Sequence, residues 1–211
     1  MDLSACRLYG ILDLKYVSDR NAPGVALEMI AGGVDVIQFR AKERTVPEKT
    51  ELARELQRVA SASNVPLVIN DHPEIARQIG AAGVHVGQDD LSISMARTVV
   101  AADCVVGRST HSLGQAKAAA AEGADYIGFG PLFSTPTKPE YVPIGLSEIK
   151  AVHEAVSIPI FCIGGIKLEN LAAVIAAGAR RVVIVSGLLQ APDVAEYARA
   201  VQQQLNSKSK I

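Results

Sequence analysis

No charge of either sign dominates this sequence. Its formal net charge is −1 over 211 residues, which leaves no broad electrostatic footprint for nucleic acid. The one basic tail, Lys208 and Lys210, is too short to be a binding arm and reads as a frayed, solvated end. Cysteine is scarce and poorly placed for bridging: Cys6, Cys104 and Cys162 are odd in number, far apart, and without CxxC or Cys/His metal spacing. Reduced, buried thiols and a cytoplasmic setting are the expectation. Long apolar runs are missing as well. No uncharged stretch is longer than residues 155–166, which is short and interrupted by Pro159, Gly164 and Gly165, so no membrane span is expected. Met1-Asp2 opens a segment with no basic region followed by an apolar core, so no secretory leader is expected either. No low-complexity linker or compositional shift marks a domain boundary.

What is present is apolar and alternating. Apolar residues make up 49% of the chain, enough to fill one large core. Runs rich in Val and Ile at 7–12, 36–40, 67–70, 84–86, 105–109, 126–129, 160–163 and 182–185 are nearly continuous in apolar character, as strands buried on both faces should be. Ala-rich amphipathic stretches at 24–31, 47–63, 74–80, 94–100, 113–122, 146–156, 168–177 and 194–205 lie between and after them. A phrase recurs at the handover from helix to strand: Ala31-Gly32-Gly33-Val34, Ala82-Gly83-Val84, Glu122-Gly123-Ala124 and Ala177-Gly178-Ala179. Its glycine suits the left-handed residue just past a helix end. Eight βα units over residues 1–211 predict a single (β/α)8 TIM barrel, with a flexible tail from about residue 206. A doubly wound open sheet is the alternative; polar residues at nearly every strand end favour closure.

In such a barrel the C-terminal strand ends build the active site. Gln38, Arg40 and Lys42 have period two, so an extended chain turns one amide and two cations to one face. They form a pyrophosphate clamp or, on the bland reading, a solvated strand end. Asp71 and Asp90 each close an apolar run. They suit a hard divalent cation, Mg²⁺ rather than zinc, or else they are helix N-caps. Asp89 competes with Asp90 for the inward position. Ile163-Gly164-Gly165-Ile166 and Val185-Ser186-Gly187 are expected to supply backbone amides for a phosphate monoester; the alternative is that Gly-Gly marks only a tight turn. His111 follows a strand end and is either an acid–base group or a loop support. His85 is expected inside the barrel and His153 in solvent, while His72 has no assigned role. Residues 130–145 carry Pro131, Pro136, Pro139 and Pro143 and have the length of a functional lid or a disordered tip.

Together these motifs resemble the thiamine-phosphate synthase (thiamine-phosphate pyrophosphorylase) family. The Q-x-R-x-K pattern runs from Gln38 to Lys42, N-D is Asn70-Asp71, and H-x-G-Q-x-D runs from His85 to Asp90, which favours Asp90 over Asp89. G-x-S-x-H runs from Gly107 to His111, G-P-x-x-x-T-x-T-K from Gly130 to Lys138, and I-G-G-I from Ile163 to Ile166. The resemblance implies that Gln38, Arg40, Lys42, Asn70, Ser109 and Lys138 contact hydroxymethylpyrimidine pyrophosphate, with Ser109 and Lys138 catalytic. It implies that Asp71 and Asp90 hold Mg²⁺, and that Thr135, Thr137, Gly165, Val185 and Ser186 hold thiazole phosphate. The chain departs from the family pattern at Ala41, where Glu is frequent, at His72, where Arg is frequent, and at Cys162, where a smaller residue is common.

The implied partners are those two small molecules, with neither nucleic acid nor membrane. A homo-oligomer is compatible with the sequence, which sets no copy number. A thiazole tautomerase of the same superfamily is the nearest rival. It would rely on His111 and would need neither Asp71, Asp90 nor Thr137-Lys138. A non-catalytic sensor barrel is the third reading, and its mark would be a lost metal ligand or clamp cation.

Overall fold

Each apolar run becomes a strand, and the computed structural model, which describes residues 2–137 and 141–207, closes them into one barrel. The strands are β1 (Leu8–Asp13), β2 (Val36–Arg40), β3 (Leu67–Asn70), β4 (Gly83–Val86), β5 (Val105–Thr110), β6 (Tyr126–Phe129), β7 (Ile160–Cys162) and β8 (Val182–Ile184). Seven helices follow the first seven strands: α1 (Ala22–Ala31), α2 (Val46–Ala62), α3 (Pro73–Ile79), α4 (Ile93–Val99), α5 (Leu113–Ala121), α6 (Ile149–Ala155) and α7 (Leu168–Ala176). Two more, α8 (Ser186–Leu189) and α9 (Val194–Ser207), follow β8. All neighbouring strands are parallel, and β1 pairs with both β2 and β8. That closure removes the open-sheet alternative. The α9 helix continues to Ser207, past the point where the tail was expected to begin, and residues 208–211 lie outside the described residues.

The two faces of the strands bury two cores. Leu8, Leu12, Ile37, Phe39, Leu67 and Ile69 face outward and pack with helix residues such as Met29, Leu56 and Ile75. Tyr9, Ile11, Val36, Val68, Val105, Tyr126, Phe161 and Val183 fill the barrel interior, with Leu3 beside them. Three of the chain's few aromatics meet in the interior. Phe161 stands edge-on to Tyr9 and Tyr126, at ring-centroid distances of 5.4 and 5.7 Å. Burying each such ring contributes roughly 1.5–3 kcal/mol.

Several local expectations change. The left-handed glycine holds for Gly33, Gly123 and Gly178, but not for Gly83. There α3 ends three residues earlier on left-handed Gly80, and Gly83 already belongs to β4. A Cβ on Gly83 would lie 2.6 Å from Val105 Cγ2, so close strand packing explains that glycine. His153 is not solvated. Its Nε2 is buried without a hydrogen-bond partner, and burial, aided by Arg180 and Arg181, pushes its pKa down to about 4. All three cysteines are free thiols, but only Cys104 and Cys162 are buried; Cys6 is half-buried. Cys162 sits in the outer core, where burial raises its thiol to about 12. Among the described residues, no helix is long and apolar enough to cross a membrane.

Candidate active site

The C-terminal mouth of the barrel opens into a cavity of about 830 Å³, part of it open to solvent. Gln38 and Arg40 enter it from β2, Asn70 from β3, His85 from β4 and Ser109 from β5. Thr135 and Thr137 reach it from the loop after β6, Gly165 from the loop after β7, and Val185 and Ser186 from the turn after β8. Strand alternation explains the first group: residues two apart on a strand share the inward face, so Gln38 and Arg40 stand above Val36.

Lys42 departs from this pattern. β2 ends at Arg40, the chain turns, and the half-exposed Lys42 ion-pairs with Asp71. The two line a neighbouring pocket with His72 and Lys49, and Asn70 borders both pockets. The period-two clamp therefore holds for Gln38 and Arg40 only, because it needs an extended backbone. Lys138 lies outside the described residues.

Neither carboxylate is a helix cap. Asp71 has a left-handed backbone, φ 63°, and its amide bonds the His85 carbonyl at 2.8 Å, tying the end of β3 to β4. His72 takes the cap position of α3, and Ser92 caps α4 through the Met95 amide. Asp90 Oδ2 accepts the Gly87 amide at 2.7 Å within its own turn. Asp89 and Asp90 are both exposed, and neither lines the cavity. The donor chemistry fits Mg²⁺: two hard carboxylates on adjacent strand ends, one of which already holds a cationic group. Mg²⁺ characteristically takes one or two carboxylates and completes its shell with water and substrate phosphate. Among the described residues, no cluster of three His, Cys, Asp or Glu side chains forms a full protein cage.

Sequence reasoning missed Asp13. It closes β1 as Asp71 follows β3, so the same signal was present. Asp13 is buried, its Oδ2 lies 2.5 Å from Arg40 Nη1, and its Oδ1 accepts the Lys15 amide at 3.0 Å. A paired, buried guanidinium is held in one place, which an isolated one is not. Arg108 was missed too. Its guanidinium donates to the Leu91 and Gln88 carbonyls, at 2.9 and 3.2 Å, and holds the loop that carries Asp90.

The opposite side of the mouth is built from backbone. Gly164 and Gly165 have φ of 98° and 65°. A Cβ on Gly165 would lie 2.7 Å from both Phe133 Cβ and Ser134 O, so only glycine lets the loop after β6 approach this closely. Leu132 and Phe133 donate their amides to the Ile163 and Gly164 carbonyls, at 2.9 and 3.0 Å. The same loop is tied to the one after β1: Tyr16 Oη bonds Thr137 Oγ1 at 3.0 Å and Lys15 Nζ donates to the Pro136 carbonyl at 2.6 Å. In the short α8 helix the backbone bonds begin at Leu188, so the Ser186 and Gly187 amides have no intrahelical acceptor. His111 supports this side. Its Nδ1 bonds the Gly130 carbonyl, and its ring packs 5.0 Å from Tyr141. A carbonyl only accepts, so Nδ1 carries the proton.

The sequence profile of the Thiamine monophosphate synthase family matches residues 8–188. Thiamine-phosphate synthase of Halalkalibacterium halodurans is 44% identical over 189 residues, covering 89% of this chain and 90% of that protein. The enzyme of the same name from Chloroflexus aurantiacus is 40% identical, over 93% of this chain and 91% of its own length. Among solved structures, thiamine phosphate pyrophosphorylase from Pyrococcus furiosus superposes with a TM-score of 0.87 at 28% identity, covering 95% of this chain and 96% of that one. A 3-hexulose-6-phosphate synthase, with a TM-score of 0.67 and 21% identity, shares the fold. A barrel whose mouth carries these motifs in this order, matched along nearly its whole length by such relatives, belongs to the thiamine monophosphate synthase family.

Proposed function

We propose that this chain joins hydroxymethylpyrimidine pyrophosphate to thiazole phosphate, giving thiamine phosphate and pyrophosphate. One observation carries the reading. Gln38, Arg40, Asn70, Ser109, Thr135, Thr137, Gly165, Val185 and Ser186 line a single cavity, with a cation on one side and free backbone amides on the other. Two phosphorylated substrates need two such anion sites, facing each other across the space where the new bond forms.

The exocyclic amine of the pyrimidine stabilises a benzylic-type cation, so the carbon–oxygen bond can break before the thiazole nitrogen attacks. The protein then needs no strong base. Its tasks are to take up charge on the departing pyrophosphate and to hold the nucleophile in line. Arg40, kept in position by Asp13, and Lys42 and Lys138 serve the first task. The glycine-built cradle of Gly165, Val185 and Ser186, with Thr135 and Thr137, serves the second by fixing the thiazole phosphate. Ser109 contacts the pyrimidine substrate. Asp71 and Asp90 would hold Mg²⁺, which, when bound, neutralises pyrophosphate charge. Lys42 would then pass from Asp71 to a pyrophosphate oxygen.

The test is release of pyrophosphate by the purified chain given Mg²⁺ and the two substrates, the thiazole already aromatic. Release only when both are present is expected. A tautomerase has no work to do on an aromatic thiazole and would release none. Nothing in the relatives described above supports that rival.

A further inference from the structure

At the cavity floor and just beneath it, five polar side chains from five strands touch in a row. Gln38 Nε2 donates to Tyr9 Oη at 2.8 Å, and Tyr9 Oη meets Tyr126 Oη at 3.0 Å. Tyr126 Oη meets His85 Nδ1 at 3.1 Å, and His85 Nε2 meets Ser109 Oγ at 3.0 Å. Gln38, Tyr9, Tyr126 and His85 are all buried, and Ser109 opens to the cavity. The row needs Gly107, because a Cβ there would lie 2.6 Å from His85 Nδ1 and run into the Tyr126 ring.

We propose that Gln38, Tyr9, Tyr126 and His85 form a one-way hydrogen-bond wire that makes His85 a donor to Ser109 and leaves the Ser109 hydroxyl hydrogen for the substrate. The direction follows link by link. An amide nitrogen only donates, so Tyr9 accepts from Gln38, and among the described residues Tyr126 Oη is the one acceptor left for its own buried hydrogen. Tyr126 in turn donates to His85 Nδ1. That nitrogen is then the acceptor, the ring proton sits on Nε2, and Nε2–H points at Ser109 Oγ. Burial raises both tyrosines well above their ordinary pKa, so each keeps the hydrogen the wire requires.

The consequence is chemical. A Ser–His pair makes a nucleophile only when the imidazole can take the serine proton. Here Nε2 already carries a proton, so Ser109 is a hydrogen-bond donor to substrate and not an attacking group. His85, Tyr126 and Tyr9 are positioning residues. A Gln38 amide turned the other way would reverse every link, put the ring proton on Nδ1 and turn the Ser109 hydrogen back onto Nε2. What Ser109 touches rests on the synthase reading; the wire itself does not.

Nitrogen-15 NMR of histidine-labelled full-length protein without substrates tests the direction. His85 is assigned by loss of its signals in His85→Gln, and His111, whose Nδ1 carries the proton, supplies the opposite tautomer in the same spectrum. The expected result is a bonded proton on His85 Nε2 and none on Nδ1, with the Nδ1 resonance moving toward that of an unbonded ring nitrogen in Tyr126→Phe. A proton on Nδ1, or an Nδ1 resonance indifferent to Tyr126→Phe, overturns the proposal. If Tyr126→Phe does not fold, the wild-type tautomer decides alone. In kinetics, Tyr126→Phe should lower kcat about tenfold with both KM values nearly unchanged, and should cost nothing further in Ser109→Ala. An equal loss in both backgrounds also overturns it. Failure of the synthase reading would show separately, as absent pyrophosphate release by the wild-type chain whose His85 tautomer is still measurable.

Discussion

The two sides of the barrel mouth are built from different materials. The β1–β4 side uses charged side chains, and an acid stands beside both Arg40 and Lys42: Asp13 and Asp71 respectively. The β6–β8 side uses backbone: left-handed Gly164 and Gly165, the unclaimed amides after β8, and threonine hydroxyls. Long cationic side chains need partners to stay in one place, whereas an amide is fixed by the chain itself. The charged side should therefore be sensitive to charge deletion, and the backbone side to anything that fills space or adds negative charge.

The sharpest break comes from the carboxylates. Asp90→Ala and Asp71→Ala should each lower kcat at saturating Mg²⁺ by about 10² or more, with the circular dichroism of the fold unchanged. Asp90→Ala near wild-type activity would falsify the metal assignment. Next come the two sides set against each other. Ser186→Glu should raise the KM for thiazole phosphate about tenfold, with little change for the pyrimidine substrate. Lys42→Ala should do the reverse, more weakly, since Lys42 is half-exposed. Equal effects of each change on both substrates would dissolve the division.

His111→Ala should cost less than about tenfold in pyrophosphate release, because His111 supports the loop through Gly130. A required acid–base group would cost roughly 10²–10⁴. The smallest effect lies away from the mouth, where Arg180 and Arg181 bear on His153. Its folded pKa, about 4, lies below the ordinary 6.5, so the unfolded chain binds more protons between those values. Stability should be full above pH ~6.5, fall as pH drops toward 4, and then level off. His153→Gln should flatten that part of the denaturant midpoint-versus-pH curve; an unchanged slope would place the proton uptake elsewhere.

The barrel was legible because buried parallel strands must be continuously apolar, and helix ends facing such strands favour glycine. Gly83 misled because packing against Val105, not a left-handed turn, demands it. Lys42 misled because period-two logic runs only while the strand does, and β2 stops at Arg40. Asp13 was readable but passed over, for it belongs to no recognised motif. Tyr9 and Tyr126 carried no signal at all, since nothing local shows that their hydroxyls meet across the barrel.

The sequence by itself determined the alternation of strands and helices, the polar strand ends and the family motifs, because each depends on residues close together in the chain. Only the tertiary structure decided which side chains share the cavity, which acid holds which cation, and how Gln38, Tyr9, Tyr126, His85 and Ser109 join into one row. Those contacts link residues up to 117 positions apart, and their geometry exists only once the barrel has closed.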